Sequence, residues 1–325
     1  VAGFREPVAV NPGYPETAVS VSGLRKAFQG RLVVKDVALD VPRGRIFGLV
    51  GPDGAGKTTT FRLMCGILRP DGGAIRIAGH SVNDAPEEVK RRIGYLSQTF
   101  SQYPDLTVWE NLAFTAALYE VPDGEWQERA TELLGASRML PFKNRLAGRL
   151  SGGMKQKLAL SCTLLHTPDV VFLDEPTTGV DPVSRRDFWS ILYDLPTQGV
   201  TIVVSTPFMD EAARCSLLAF MFDGAIIASG SPQELRKGAG GGILVLEADR
   251  PREARDVLAS RKDIRTCILF GDRLHVMLED GETTVQGIRR ALEEAGIAIY
   301  RLEEAEAGLE DVFVRLTQDA AGGPK

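Results

Sequence analysis

Apolar residues change their spacing along this chain, and the changes divide it into segments. Near 18–24 and 33–41, and in RIFGLV (45–50), they alternate with polar residues or run together, as β-strands require. AIRIAG (74–79) predicts another strand, and KRRIGYLSQ (90–98) the end of a further one. TTFRLMCGIL (59–68) has helical periodicity. From about 100 to 168 the pattern stays helical, punctuated by Pro104, Pro122, Pro141 and Pro168. VVFLDE (170–175) and GVTIVVST (199–206) are runs rich in β-branched residues, typical of central strands in a parallel sheet.

KGAGGG (237–242) breaks the chain and reads as a linker. Beyond it come a strand, ILVLEA (243–248), a helical stretch at 251–260, and two strands, IRTCILF (264–270) and RLHVMLE (273–279), meeting at Gly271-Asp272. A helix at 283–295, a strand AIYRLE (298–303) and a helix through LEDVFVRLT (309–317) complete the segment. The β-α-β-β-α-β order predicts a ferredoxin-like α+β domain, read as a regulatory or dimerising appendage because no catalytic constellation lies in it. The expected organisation is therefore an arm with three prolines (1–16), a main domain (17–236) with a helical part at about 99–168, the linker, an accessory domain (243–317) and a short tail (318–325).

Composition adds limits. A chain of 325 residues, 44% apolar, can hold about two domains with a substantial core. Net charge is −5 with both signs dispersed, and the absence of a Lys/Arg-rich block argues against nucleic acid as a partner. Cys65, Cys162, Cys215 and Cys267 are far apart without C-x-x-C spacing, which fits a reducing cytoplasm better than a zinc site or disulfide framework. The longest apolar runs, such as SLLAFMF (216–222), are a buried strand's length, too short to span a bilayer. No basic-then-apolar leader opens the chain, so no signal peptide is expected, and any membrane role must come through a partner.

The chemistry is concentrated in three stretches. GPDGAGKT (51–58) fits G-x-x-x-x-G-K-[ST], the Walker A phosphate loop, between a predicted strand and a predicted helix. The loop of Gly51, Pro52, Asp53, Gly54, Ala55 and Gly56, with Thr59 beyond it, would surround the phosphates of ATP at a helix N-terminus, its N–H groups (all but that of Pro52, which has none) serving as donors. In that reading Lys57 reaches the β- and γ-phosphates, and Thr58 offers its hydroxyl to Mg²⁺. VVFLDE places Asp174 and Glu175 at the end of a buried strand, where an aspartate can orient Mg²⁺ through water and a glutamate can polarise the attacking water. LSGGMKQ (150–156) puts Ser151, Gly152 and Gly153 at a helix start, a second cradle of amides for an anion. One nucleotide needs one phosphate loop, so the second cradle implies a second nucleotide bound to another copy or partner.

With LSGGMKQ in place, residues 18–236 resemble the ATP-binding subunits of ABC transporters. The resemblance implies a P-loop NTPase α/β fold with a mainly parallel core sheet, an antiparallel β subdomain and a helical subdomain. Phe28 in KAFQGR resembles the aromatic that stacks on adenine, and Gln98 in YLSQ the glutamine that contacts Mg²⁺ and senses the membrane partner. GVD (179–181), ending in Asp181, resembles the loop that crosses the dimer interface. The family implies two nucleotide-binding domains arranged head to tail, each ATP lying between one chain's phosphate loop and the other's LSGG. DLTVWENL (105–112) is similar to the stretch that receives a coupling helix from a transmembrane permease.

One position departs from the pattern. The family carries a histidine in a segment S-T-H after the last core strand, and this chain reads VVSTPFMDEA (203–212), with Pro207 there. His80, His166 and His275 are its three histidines, and none lies nearby in sequence. Proline supplies no donor. A lost hydrogen bond to a charged group is worth about 1.5–3 kcal/mol, so hydrolysis on this chain's own phosphate loop is expected to be attenuated, roughly 10- to 150-fold. This departure, with GPDGAGKTT, LSGGMKQKL and the ending LEDVFVRLT, narrows the resemblance to bacterial exporter ATPases of the type 2 drug-efflux class, similar to the first nucleotide domain of YbhF-type proteins. That class implies a six-helix permease and a second nucleotide domain in a homodimer or heterodimer. It also implies a periplasmic membrane-fusion protein as a further partner, and a place on the cytoplasmic face of the bacterial inner membrane. Two alternatives stay open: a non-hydrolysing regulatory subunit that uses ATP to hold a heterodimer together, and a soluble ABC-type ATPase acting on ribosomes or nucleic acid.

Overall fold

A computed structural model of the protein describes residues 17–238, 243–278 and 285–320. The expected arm (1–16), linker positions 239–242, residues 279 and 283–284 of two predicted elements, and tail positions 321–325 lie outside the described residues. The chain divides into two compact units, the second beginning at Pro232.

In chain order the first unit contains β1 (Thr17–Phe28), β2 (Arg31–Pro42), β3 (Ile46–Val50), α1 (Lys57–Met64), β4 (Gly72–Ile77) and β5 (His80–Ser81). α2 (Pro86–Arg92), β6 (Ile93–Leu96), α3 (Val108–Leu118), α4 (Glu125–Ala136), α5 (Gly152–Leu164) and β7 (Val170–Asp174) follow. α6 (Pro182–Asp194), β8 (Thr201–Thr206), α7 (Met209–Ala212), β9 (Leu217–Phe222) and β10 (Ala225–Gly230) close it.

The central sheet has the order β10-β9-β3-β8-β7-β6. Its strands run parallel from β9 to β6, and β10 alone is antiparallel. Every residue of β3, β7 and β8 is buried, which is why these strands are apolar without alternation. A second, antiparallel sheet has the order β2-β1-β4-β5. The apolar faces of the two sheets and α1 share one core, in which Phe61 meets Phe172 edge to face at 5.6 Å between ring centres. α5 and α6 cover the other face of the central sheet around Trp189, Phe188 and Leu192. α3, α4 and the opposite side of α5 make a third core around Leu112, Trp126 and Leu158.

Parallel register brings the chemistry together. Asp174 pairs with Ser205, and Val50 with Thr206, so β3, β7 and β8 all end at one edge of the sheet. Ligands of open parallel sheets bind outside these carboxyl ends.

Several boundaries differ from expectation. Lys90–Arg92 are not strand but the last turn of α2, and the strand that follows is only Ile93–Leu96. Pro86 at the helix start with Glu87 and Glu88 in the first turn, and three cations in the last, favour the helix. The helix expected at 59–68 runs from Lys57 to Met64, with Gly66 at φ +69° just beyond its end.

The second unit contains α8 (Pro232–Gly238), β11 (Ile243–Ala248), α9 (Pro251–Ala259), β12 (Ile264–Phe270), β13 (Arg273–Leu278), α10 (Val285–Glu294), β14 (Ile299–Ala305) and α11 (Leu309–Ala320). Lys237 and Gly238, expected in the linker, end α8, and Gln318–Ala320, expected in the tail, belong to α11. The sheet is antiparallel with order β12-β13-β11-β14, the ferredoxin-like arrangement. Leu244, Leu246, Leu274 and Val276 face α9 and α10, while the alternate residues face the other side. α11 is tied to that other side by Thr266–Gln318 (2.7 Å), Arg265–Asp319 (2.5 Å) and His275–Asp311 (2.9 Å). No helix among the described residues is long and apolar enough to cross a membrane.

Candidate active site

The loop after β3 is shaped by close backbone approach. Gly51 N–H donates to the Thr206 carbonyl (3.2 Å), and a Cβ on Gly51 would collide with the Met221 carbonyl oxygen. Gly56 has φ +103° and would place a Cβ 2.9 Å from the Val33 carbonyl, so only glycine fits there. The loop turns through Ala55 N–H to Pro52 O (3.2 Å) and is anchored by Gly224 N–H to Ala55 O (3.0 Å). Pro52, Asp53 and Gly54 are exposed at its tip, Gly51, Ala55, Gly56 and Lys57 are buried, and Thr58 and Thr59 are half-buried. No side chain caps the start of α1, so its first amides remain available to an anion.

Lys57 is the first residue of α1. Its Nζ donates to the carbonyls of Gly51 (2.8 Å) and Pro52 (3.0 Å) and lies 3.1 Å from Glu175 Oε1. Side-chain exposure is 3% for Lys57 and 7% for Glu175. In so dry a place each charge needs the other or a substitute of equal sign.

The two carboxylates at the end of β7 have different surroundings. Asp174 accepts from Ser205 Oγ (2.6 Å), Thr58 Oγ1 (3.1 Å) and the Tyr95 hydroxyl (3.2 Å). Burial first, then the negative charge of Asp174, pushes the Tyr95 phenol well above its usual range, so it remains a donor. Glu175 accepts from Gln98 Nε2 (2.8 Å) and, more weakly, Thr178 Oγ1 (3.4 Å). Its backbone is left-handed, φ +48°, and its N–H bonds to both the carbonyl and the hydroxyl of Ser205 (3.1 and 3.0 Å).

Lys57, Thr58, Gln98, Asp174 and Glu175, singled out in sequence, thus converge at one sheet edge. Other expected residues do not join them. Ser151 caps α5, its Oγ accepting from Met154 N–H (3.4 Å), and Gly153 is pressed against Ser184 of α6, where a Cβ would meet Ser184 Cβ at 2.5 Å. Among the described residues no hydrogen bond joins Ser151, Gly152 or Gly153 to the phosphate loop. Asp181 caps α6, accepting from Val183 and Ser184 N–H (3.1 and 2.9 Å), bonds that hold its carboxyl below the usual range. Phe28 stands exposed at the end of β1 with the Lys26 ammonium 5.6 Å above its ring.

Pro207 follows β8 between two anchored neighbours. Thr206 Oγ1 accepts from Phe208 N–H (3.0 Å) and donates to Glu211 Oε2 (2.7 Å). No histidine is present in this segment of the fold.

Sequence reasoning did not single out Ser205, Tyr95 or Glu211. Ser205 has a signal in retrospect: two hydroxyl residues end an otherwise apolar run, at the register position opposite Asp174. Tyr95 has none, since its partner Asp174 is 79 residues distant, and Glu211 has a near partner in Thr206 but reaches the Glu175 turn only through Thr177, 34 residues away.

The donor set suits a nucleoside triphosphate with a hard divalent cation. Amides at a helix start and a buried ammonium match phosphate oxygens. A hydroxyl, an amide oxygen and a carboxylate (Thr58, Gln98, Asp174) are oxygen ligands of the kind Mg²⁺ takes while keeping several waters. Among the described residues no cage of three His, Cys, Asp or Glu side chains occurs, and Mg²⁺ bound to phosphate does not need one.

Comparisons with known proteins agree with this geometry. Residues 34–178 match the family model described as "ABC transporter", and residues 230–317 match "ATP-binding protein DrrA1-3-like, C-terminal domain". The chain is 34% identical to the daunorubicin/doxorubicin resistance ATP-binding protein DrrA of Streptomyces peucetius, covering 93% of each. It is 35% identical to Nod factor export ATP-binding protein I of Ralstonia nicotianae, covering 94% of this chain and 96% of that one. It is 40% identical to the probable multidrug ABC transporter ATP-binding protein YbhF of Escherichia coli over 68% of this chain, which spans only 38% of YbhF's length. Among solved structures, one described as an ATP-binding subunit of an ABC transporter matches with TM-score 0.63 and 31% identity, over 68% of this chain and 92% of that one. An ATP-binding cassette solved in its ADP conformation matches with TM-score 0.61 and 26% identity, over 67% and 92%. By fold, by site and by relatives such as DrrA that match along both of its units, the chain belongs to the ABC transporter family of ATPases and carries a DrrA-like C-terminal domain.

Proposed function

We propose that this chain binds and hydrolyses ATP to power a separate transmembrane permease of a bacterial drug or small-molecule exporter, at the cytoplasmic face of the inner membrane. The buried Lys57–Glu175 pair, with Gln98 on the second oxygen of Glu175, is the observation that carries the hydrolytic reading. When phosphate takes Lys57, Glu175 loses its cationic partner and becomes the free carboxylate that directs water in line with the γ-phosphate. Gln98 holds that carboxylate in orientation, and Ser205 holds its backbone. Thr58, Gln98 and Asp174 would hold Mg²⁺. Bound there, Mg²⁺ would supply positive charge to offset the charge that develops on the phosphate oxygens.

Ser151, Gly152 and Gly153 point the reading towards a dimer, since they start a helix outside this chain's own phosphate site. They complete a site on a second nucleotide domain, with Asp181 at the crossing loop and Phe28 stacking on adenine. Permease docking is supported by exposed apolar residues on the helical part, Tyr103, Phe114 and Leu118 at 50%, 45% and 66%. They adjoin the 105–112 stretch, where Thr107 and Glu110 form a reciprocal cap on α3. A periplasmic membrane-fusion protein would complete the exporter.

Pro207 attenuates the site because neither its ring nor its nitrogen donates a hydrogen bond. Steady-state Mg-ATP hydrolysis by the purified chain tests the proposal beside Glu175→Gln and Pro207→His. Slow turnover by the parent, loss with Glu175→Gln and a rise of about tenfold or more with Pro207→His are expected. Equal silence in all three would instead favour the second reading, a regulatory subunit that binds ATP without hydrolysing it, which Pro207 itself recommends.

A further inference from the structure

Glu211, on α7, is a fully buried carboxylate that the site chemistry so far leaves without a role. Its oxygens accept from the hydroxyls of Thr177, two residues after Glu175, and Thr206, which ends β8. The Arg185 guanidinium of α6 lies 3.7 Å from Oε1 and 4.5 Å above the Phe208 ring. A charge placed away from water is costly unless its partners are specific, so packing alone does not account for it.

Each partner belongs to a segment of the site. Thr177 lies in the turn that fixes Glu175, and its carbonyl accepts from Val180 N–H (3.1 Å) in the 179–181 loop. Thr206 gives its carbonyl to Gly51 N–H of the phosphate loop and its hydroxyl oxygen to Phe208 N–H. Glu211 therefore stands where the Glu175 turn, the entrance of the phosphate loop and both sides of Pro207 meet.

We infer that Glu211 is a positioning residue for hydrolysis: through Thr177 and Thr206 it sets the Glu175 turn against the phosphate loop, taking over the alignment of a segment that has no histidine. The inference rests on the reading of Glu175 as the group that directs water. It concerns the chemical step and not nucleotide affinity, because Glu211 touches neither the amides of the loop nor Lys57.

Single-turnover hydrolysis with protein in excess, together with affinity for a fluorescent ATP analogue, tests it on the full chain. Thr177→Val keeps shape and removes the hydroxyl, Thr177→Ser restores it, and Glu211→Gln removes the charge. Glu211→Gln and Thr177→Val are each expected to slow the step roughly tenfold or more, with analogue affinity within about twofold of the parent. Thr177→Ser is expected to recover the rate, and the double variant to fall no further than the slower single one. If Glu211→Gln does not fold, the two Thr177 variants carry the decision. Parental rates in Glu211→Gln and Thr177→Val, a parallel loss of affinity, or a Thr177→Ser as slow as Thr177→Val would overturn the inference. No hydrolysis in the parent, even with Pro207→His added, would overturn the functional reading and this inference with it.

Discussion

His166 illustrates how a single side chain makes stability depend on pH. Its Nε2 bonds the Ile93 carbonyl (2.9 Å), its ring stacks on Tyr119 at 3.7 Å, and its buried Nδ1 has no hydrogen-bond partner among the described residues. Burial is the main cause that lowers its pKa below the ordinary 6.5. The unfolded chain then binds the proton more readily, so His166 contributes stability above pH 6.5 that is lost as pH falls towards its lowered value. Thermal unfolding from pH 8 to 5.5 is expected to show a steeper fall for the parent than for His166→Gln, which can still donate to Ile93. At this scale the motif residues were legible because spacing alone marks Lys57, Thr58, Asp174 and Glu175. Tyr95 and Glu211 were not, because Asp174 and Thr177 lie far from them in sequence, and the hydroxyl of Ser205 at the end of its apolar run gains meaning only from the strand register that sets it opposite Asp174. Pro207 was legible only as a departure from a pattern.

Between elements, the contact of α5 with α6 at Gly153 and Ser184 admits no side chain. Gly153→Ala is expected to force the helices apart and cost about 1–3 kcal/mol, a typical overpacking penalty, seen as a lower unfolding temperature. Affinity of this chain's own phosphate loop for ATP should remain, since Gly153 makes no contact with it, while ATP-driven dimerisation should fail. Binding of a fluorescent nucleotide and size measurement with ATP separate the two effects. Strands β3, β7 and β8 could be read from sequence because burial on both faces makes them continuously apolar. α2 was missed because only seven residues form it, and its single buried side chain, Val89, leaves no period to detect. α7, four residues long, left even less, although it carries Glu211.

At the scale of the molecule, the change from one rhythm of strands and helices to another disclosed two units. The β-α-β-β-α-β order gave the second its topology. What order could not disclose was that α11 lies on the sheet face opposite α9 and α10: its buried stripe of Leu309, Val312 and Leu316 announces a packed helix but not which face it covers, and the polar pairs that tie it there join residues 36 to 54 positions apart. Nor does the strand list reveal which chemistry meets which. Parallel register gathers Lys57, Asp174 and Glu175 at one edge, while the Ser151–Gly153 helix start is bonded elsewhere. On the dimeric reading one gene therefore encodes two half-sites that never serve each other within one chain. Two defective alleles, Lys57→Ala and Gly153→Asp, should then complement each other. A mixed pair has one site with both defects and one with none, so co-expressed chains should regain ATP hydrolysis that neither allele supports alone.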